Sequence, residues 1–203
     1  MSGSLLSEES LRSGLLKFSQ EFDKNKIEHF VFFGTLLGLC RSGKPIVGDD
    51  DVDFYVNHKH YEQVQVLIQS LGFSIDYDSF PNNSDRFMQV HGEISGLEVR
   101  VDFYFYDTDS DENFVLDHWN FVAQPENKAK VLKIPKPLIF PIARTPYEGM
   151  SVAVPKFGAI ICEFLYGENW RVPQKKFVDY KIDVLGGRPI RVAIKNGAVT
   201  LAP

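Results

Sequence analysis

The stretch Asp49-Asp50-Asp51-Val52-Asp53-Phe54-Tyr55-Val56 sets four carboxylates in five residues at the mouth of an apolar run. From Asp51 onward it alternates. Asp51, Asp53 and Tyr55 fall on one side of a strand, with Val52, Phe54 and Val56 on the other. Crowding negative charge where a strand enters a core costs repulsion and desolvation unless cations neutralise it. The run therefore reads as a strand whose entrance holds a divalent metal ion.

Upstream, Ser7 followed by Glu8 and Glu9 can cap a helix whose apolar face is Leu11, Leu15, Phe18 and Phe22. His29-Phe30-Val31-Phe32-Phe33 reads as a buried strand stopped by Gly34. A short helix over Thr35–Leu39 then leads to a loop marked by Arg41, Gly43 and Pro45. Downstream, Tyr61, Val64, Leu67, Ile68 and Leu71 recur at helical spacing, and Gly72 ends that helix. A strand is expected around Phe87–His91. The most regular alternation follows it, with Leu97, Val99, Val101, Phe103 and Phe105 facing one way and Glu98, Arg100, Asp102, Tyr104 and Tyr106 the other. Residues 108–150 are Pro-rich and read as short strands and loops. Pro155 opens a helix carrying Phe157, Ile160, Ile161, Phe164 and Leu165, with Gly167 past its end. Asn196-Gly197 between Arg191–Ile194 and Ala198–Leu201 signals a β-hairpin. The expected fold class is α/β of the α+β kind, a mixed sheet flanked by helices with a small C-terminal hairpin.

A chain of 203 residues that is 44% hydrophobic and 13% aromatic can bury one substantial core. Its net charge of −5, with no basic block, argues against nucleic acid as a partner, because phosphate-backbone affinity needs clustered Lys and Arg. Cys40 and Cys162 lie in apolar stretches and read as buried free thiols. No basic, apolar leader opens the sequence and no run reaches a membrane span of about 18 residues, so a cytoplasmic protein is expected. Asn82-Asn83-Ser84 fits a glycosylation acceptor but reads as a polar loop.

Alternation puts Asp51 and Asp53 on one face of their strand, and Asp102 projects from another. If the two strands are neighbours, three carboxylates converge where one or two hard cations can sit. Mg²⁺ takes few protein ligands and keeps other positions for water and phosphate. Two metals roughly 3.5–4 Å apart can clamp both oxygens of a phosphoryl displacement. Gly34-Thr35 at a strand-to-helix turn offers backbone N–H groups and a helix dipole to an anion. Asp49 shares the face of Asp51 as a further ligand or an orienting group, whereas Asp50 points away. An EF-hand is excluded, since Phe54 stands at the required Gly and His60 at the terminal Glu. An aspartyl phosphatase would want an apolar strand leading into the acid pair, where this chain has Gly48-Asp49-Asp50. Arg41 reads either as a phosphate-neutralising cation or as a surface arginine. Lys44, His91 and His118 read as ordinary solvated or structural groups. Arg100 reads as the partner of a carboxylate, Tyr55 and Tyr104 either as the lining of a base or sugar pocket or as core aromatics with a polar tip, and Trp170 as a core aromatic rather than a ring that stacks on substrate.

The segment Phe33-Gly34-Thr35-Leu36-Leu37-Gly38 through Arg41, followed by Asp49–Asp53, resembles the signature of the LicD/fukutin-related family within the polymerase-β-type nucleotidyltransferase superfamily. Tyr147-Glu148-Gly149, Val154-Pro155, Tyr166-Gly167, Trp170 and Pro173 resemble its later segments, in order, so the likeness runs over roughly residues 28–173. One departure is Gly48, where the family commonly has an aromatic residue. The resemblance implies a catalytic domain over 1–175, with 176–203 as an extension of the same unit. It implies transfer of a phospho-alcohol, phosphocholine or a polyol phosphate, from a CDP-activated donor to a glycan or lipid-linked glycan hydroxyl, releasing CMP. Such chemistry belongs to cell-surface polysaccharide biosynthesis, including lipopolysaccharide or teichoic acid modification, with peripheral association to a membrane-linked acceptor. It also implies Mg²⁺ or Mn²⁺ on Asp51, Asp53 and Asp102, with Asp49 in support. Asp102 would serve as general base, and Gly34, Thr35 and Arg41 would bind substrate. The rival expectations are nucleotidyl transfer from an NTP with pyrophosphate release, a metal-dependent glycosyltransferase, and a non-catalytic nucleotide- or glycan-binding module.

Overall fold

The computed structural model describes residues 5–80, 86–108, 110–118, 132–173, 192–195 and 198–201. The first helix, α1 (Glu8–Lys24), begins as expected: Ser7 Oγ accepts a hydrogen bond from the Ser10 N–H at 3.0 Å. Strand β1 (His29–Val31) follows, then α2 (Phe33–Ser42) and β2 (Val52–Asn57). The strand expected over His29–Phe33 thus stops at Val31. Phe33 turns to φ 39° and opens the helix, which runs on to Ser42 and ends at left-handed Gly43. This puts Arg41 in the last turn of α2 rather than in a loop.

After β2 come α3 (Tyr61–Ser70), β3 (Ser74–Asp78), β4 (Phe87–Ile94) and β5 (Leu97–Thr108). Then follow β6 (Phe114–Asp117), β7 (Leu132–Pro135), α4 (Lys136–Ile139), β8 (Ala143–Tyr147), β9 (Met150–Val154) and α5 (Gly158–Tyr166). Pro155 starts a preparatory turn, its carbonyl accepting from Gly158, and the helix proper begins later than the sequence suggests. The C-terminal hairpin signal corresponds to the antiparallel pair β10 (Val192–Lys195) and β11 (Ala198–Leu201). Its Asn196-Gly197 turn lies outside the described residues, as do Asn82-Asn83-Ser84 and most of the expected 176–203 extension.

The main sheet is mixed, in the order β1-β2-β5-β4-β3, with β6 and β7 continuing from the far end of β5. Strands β2 and β5 at its centre are parallel, β1 and β4 flank them antiparallel, and the excursion through α3, β3 and β4 makes the crossover. Both central strands are buried on both faces, as parallel strands are. On one face α1 packs closely at Gly14, where an added Cβ would lie 2.8 Å from Val99 Cγ1. There Phe18 meets Phe103 at 5.5 Å and Phe22 meets Phe54 at 5.4 Å between ring centroids. On the other face Tyr55 stacks on Phe32 at 3.9 Å, and Phe30 packs on Tyr106 at 5.4 Å. The alternation read from β2 and β5 therefore matches the packing, with Phe54 and Phe103 towards α1 and the Asp and Tyr residues away from it. Cys162 is buried as expected, but Cys40, near the C-terminal end of α2, is exposed as a residue although its sulfur faces α5.

Candidate active site

Parallel pairing sets Asp53 of β2 abreast of Asp102 of β5. Both are only 5% exposed, so two carboxylates share a buried position on one face of the sheet. Each is held by its surroundings. The Thr35 N–H donates to Asp53 Oδ2 at 3.2 Å, and the Asp53 N–H donates to Thr35 Oγ1 at 2.9 Å. Tyr104 Oη donates to Asp53 Oδ1 at 3.4 Å. Across the sheet, Gln89 faces Asp102 in the β4–β5 register and donates from Nε2 to Asp102 Oδ1 at 3.0 Å. Since Phe32, the residue ahead of α2, offers no side-chain cap, the Asp53 carboxylate supplies the anion at that helix start.

At the strand mouth, Asp49, Asp50 and Asp51 each place a carboxylate oxygen within 4.8 Å of the others, and all three are half-buried. The expectation that Asp50 points away fails because β2 begins only at Val52. Two-residue alternation does not extend back through the turn at Gly48, which sits at φ 84°. Asp49 reaches back over α2: a Cβ on Gly34 would stand 2.7 Å from Asp49 Oδ2 and 3.3 Å from Asp53 Oδ2. Any larger residue would press on these oxygens, so Gly34 keeps the helix start open to them. Thr35, 2% exposed, is committed to Asp53. Arg41 lies six residues further on, about 9 Å along a helix, and its charge is felt at Cys162. The structure thus brings together Gly34, Thr35, Asp49, Asp51, Asp53 and Asp102, and leaves Arg41 at the opposite end of α2.

Electrostatics explains what these acids need. Burial, reinforced by Asp53, Asp102, Asp49 and Asp50, pushes Asp51 up to about 10. Asp53 is raised well above the carboxylate range by burial and by Asp49 and Asp102, against the Thr35 and Tyr104 hydrogen bonds. Asp102 is pushed up to about 7 by burial, against the Gln89 hydrogen bond, with Asp50 and Asp49 adding repulsion. Without a countercharge the cluster cannot ionise fully at neutral pH. The donor set is all carboxylate oxygen, the chemistry that suits a hard divalent cation.

Beneath the site lies an aromatic floor: Phe33 meets Tyr104 at 4.8 Å, and Tyr55 donates to buried Asp117 at 2.6 Å. Tyr55 proves to be a core group and Trp170 is one as expected, Arg100 pairs with Glu98, and His91 and His118 pair with Asp76 and Asp107. Sequence reasoning missed Gln89 and Asp117. The one available signal was a polar side chain interrupting each apolar strand, in Phe87-Met88-Gln89-Val90 and Phe114-Val115-Leu116-Asp117.

Known proteins bear on this geometry. Among solved structures, the chain is similar to the lincosamide antibiotic adenylyltransferase LnuA in its lincomycin-bound form. The TM-score is 0.56 at 13% identity, over 90% of this chain and 98% of that one. The antibiotic-resistance factor ANT(2'')-Ia matches at TM-score 0.50 and 12% identity, over 88% of this chain and 82% of that one. These likenesses show the nucleotidyltransferase fold. A curated relative, the uncharacterized protein RP689 of Rickettsia prowazekii (strain Madrid E), is 34% identical over 68 residues. That match spans 32% of this chain and only 26% of the relative's length. No helix among the described residues is long and apolar enough to cross a membrane. The family model for the LicD/FKTN/FKRP nucleotidyltransferase domain matches residues 26–157, from just before β1 to just before α5, and the chain belongs to that family.

Proposed function

We propose that this chain is a metal-dependent phosphotransferase that moves a phospho-alcohol from a CDP-activated donor to a glycan hydroxyl and releases CMP. The observation that carries the reading is the buried pair Asp53 and Asp102, abreast on β2 and β5, with Asp49–Asp51 at their mouth and the start of α2 alongside. Family membership supports a transferase of this kind. Asp51, Asp53 and Asp102, with Asp49, would hold Mg²⁺ or Mn²⁺. Such an ion supplies the countercharge the acids lack and Lewis acidity toward the phosphate oxygens. Gly34 admits the donor diphosphate close to the helix N-terminus, where backbone dipoles favour negative charge. Thr35 fixes the Asp53 carboxylate, and Arg41 adds positive potential from the far end of α2. Gln89 orients Asp102, which takes the proton of the attacking hydroxyl. The acceptor is a glycan or lipid-linked glycan, and the proposed setting is the cytoplasm, where nucleotide-activated donors are made.

The test is product release from CDP-choline, CDP-glycerol, CDP-ribitol and CTP, with and without Mg²⁺, in the presence of a glycan mixture. Metal-dependent CMP from one CDP donor is the expected result and names the alcohol. Pyrophosphate from CTP overturns the reading in favour of nucleotidyl transfer. Donor binding seen by thermal shift, with no product over hours, overturns it in favour of a binding module.

A further inference from the structure

At the other end of α2 from the carboxylates, two cysteines lie on packed helices. Cys40 is exposed on α2, and Cys162 is fully buried on α5. The two helices pack against each other through Gly158, where an added Cβ would lie 3.0 Å from Cys40 Sγ and 3.1 Å from Leu36 Cδ1. Gly158 and Cys162 are four residues apart on α5 and so share the face turned to α2. Across that seam each thiol shifts the ionisation of the other. Arg41 and Arg171 add positive charge around the pair, and the Arg171 guanidinium stacks over the Trp170 ring at 4.2 Å.

The geometry points to Cys40 and Cys162 as a redox-modification site, a dithiol that closes to an intramolecular disulfide under a peroxide and reopens with a dithiol reductant. The two thiols differ in the way such a pair needs. The neighbouring Cys162 thiol, aided by the charge of Arg171, holds the Cys40 thiol below its ordinary range, against the effect of burial. The neighbouring Cys40 and burial push Cys162 up. Low-pKa, accessible cysteines beside a second thiol are the ones that oxidise reversibly. The Cys40 thiolate attacks one oxygen of hydrogen peroxide, forming the sulfenic acid and releasing hydroxide. The Cys162 sulfur then attacks the Cys40 sulfur. Its proton leaves with the departing hydroxyl as water, and the S–S bond forms. The two thiols together give up two electrons, and the peroxide becomes two waters. None of this requires the reaction proposed at Asp53.

The experiment is intact-mass and peptide mapping of the full chain after hydrogen peroxide at neutral pH, with free thiols counted before and after dithiothreitol. Both thiols should disappear together, the mass should fall by two hydrogens, a Cys40–Cys162 cross-link should map, and reductant should restore both thiols. Wild-type protein blocked at Cys40 with iodoacetamide should form no cross-link. Cys40→Ser should slow the oxidation of Cys162 by at least about tenfold, because the remaining thiol is buried and protonated. Three results overturn the site: Cys40 accumulating as sulfinic acid without a cross-link, a cross-link only between chains, or two thiols untouched by peroxide that oxidises free cysteine.

Discussion

Thr35 and Asp53 hold each other by reciprocal hydrogen bonds, Asp53 N–H to Thr35 Oγ1 at 2.9 Å and Thr35 N–H to Asp53 Oδ2 at 3.2 Å. The first residues of α2 and the first residues of β2 are thus one unit. The carboxylate that faces the site also satisfies a backbone donor that the helix would otherwise leave unpaired. The site is therefore set by folding rather than assembled when a ligand arrives.

Asp53→Asn separates these two duties. The amide oxygen can still accept from Thr35, while the negative charge is gone. Turnover should fall by at least about a hundredfold, since even groups one step removed from a metal cost about 10–100-fold. Stability of the metal-free protein should hold or rise, because repulsion from Asp49 and Asp102 is relieved. CMP release at the wild-type rate would remove Asp53 from the mechanism.

The acids also make stability depend on pH in an unusual sense. Asp51 and Asp102 have folded-state values raised to about 10 and about 7 from an ordinary 3.8. The folded chain then binds more protons than the unfolded chain above that ordinary value, so stability falls as pH rises. For Asp102 the loss accumulates from about pH 4 to pH 7, and for Asp51 it continues to about pH 10. Melting of chelator-treated protein should therefore occur at progressively lower temperature from pH 5 to pH 9, and added Mg²⁺ or Mn²⁺ should flatten the slope. A metal-free melting temperature that climbs over this range would contradict the electrostatic account.

Gln89→Leu keeps the volume of a strand residue and deletes the donor to Asp102 Oδ1. The Mn²⁺ concentration giving half-maximal activity should rise about tenfold, within the range for groups that orient metal ligands. A merely structural Gln89 would shift melting and leave the Mn²⁺ titration unchanged.

Two glycines of α2 should fail differently. In Gly34→Ala the new Cβ meets carboxylate oxygens, 2.7 Å from Asp49 Oδ2, which can swing aside at the expense of the site's geometry. Activity should drop by about a hundredfold with little change in unfolding. In Gly38→Ala the Cβ stands 2.6 Å from the Lys44 carbonyl oxygen and 3.0 Å from the Ile46 nitrogen, both backbone. That variant should lose about 1–3 kcal/mol in urea unfolding. The reverse pattern would show that the loop over α2 moves more freely than the acids do.

Much of this was legible in the sequence where one element settles the matter. The Ser7 cap, the apolar face of α1 and the two-residue alternation of β2 and β5 are local signals, and each is found as read. Legibility ended where a partner strand or a backbone kink decides. Strand β3 escaped because Ser74–Asp78 is an edge strand with Ile75 and Tyr77 exposed, so no buried face marks it. Gln89 becomes meaningful only once β4 and β5 are in register. Phe33 at φ 39° cuts a strand that its own hydrophobicity would extend, and Asp50 joins the cluster because alternation had not yet begun. The β8–β9 hairpin turns at Glu148 and Gly149, both at positive φ, a type of turn that a Pro-rich neighbourhood obscured.

The crossover between β2 and β5 carries a consequence for how this site can drift in sequence. Everything from α3 to β4 lies between Asp53 and Asp102 along the chain, yet the two sit side by side. Residues gained or lost in the turns at Gly72 or Gly96 change the interval and leave the acids abreast. A single residue inserted within Val52–Tyr55 or Val101–Tyr104 instead swings a carboxylate through to the α1 side of the sheet. What must stay constant is a row across the sheet, not a count along the chain.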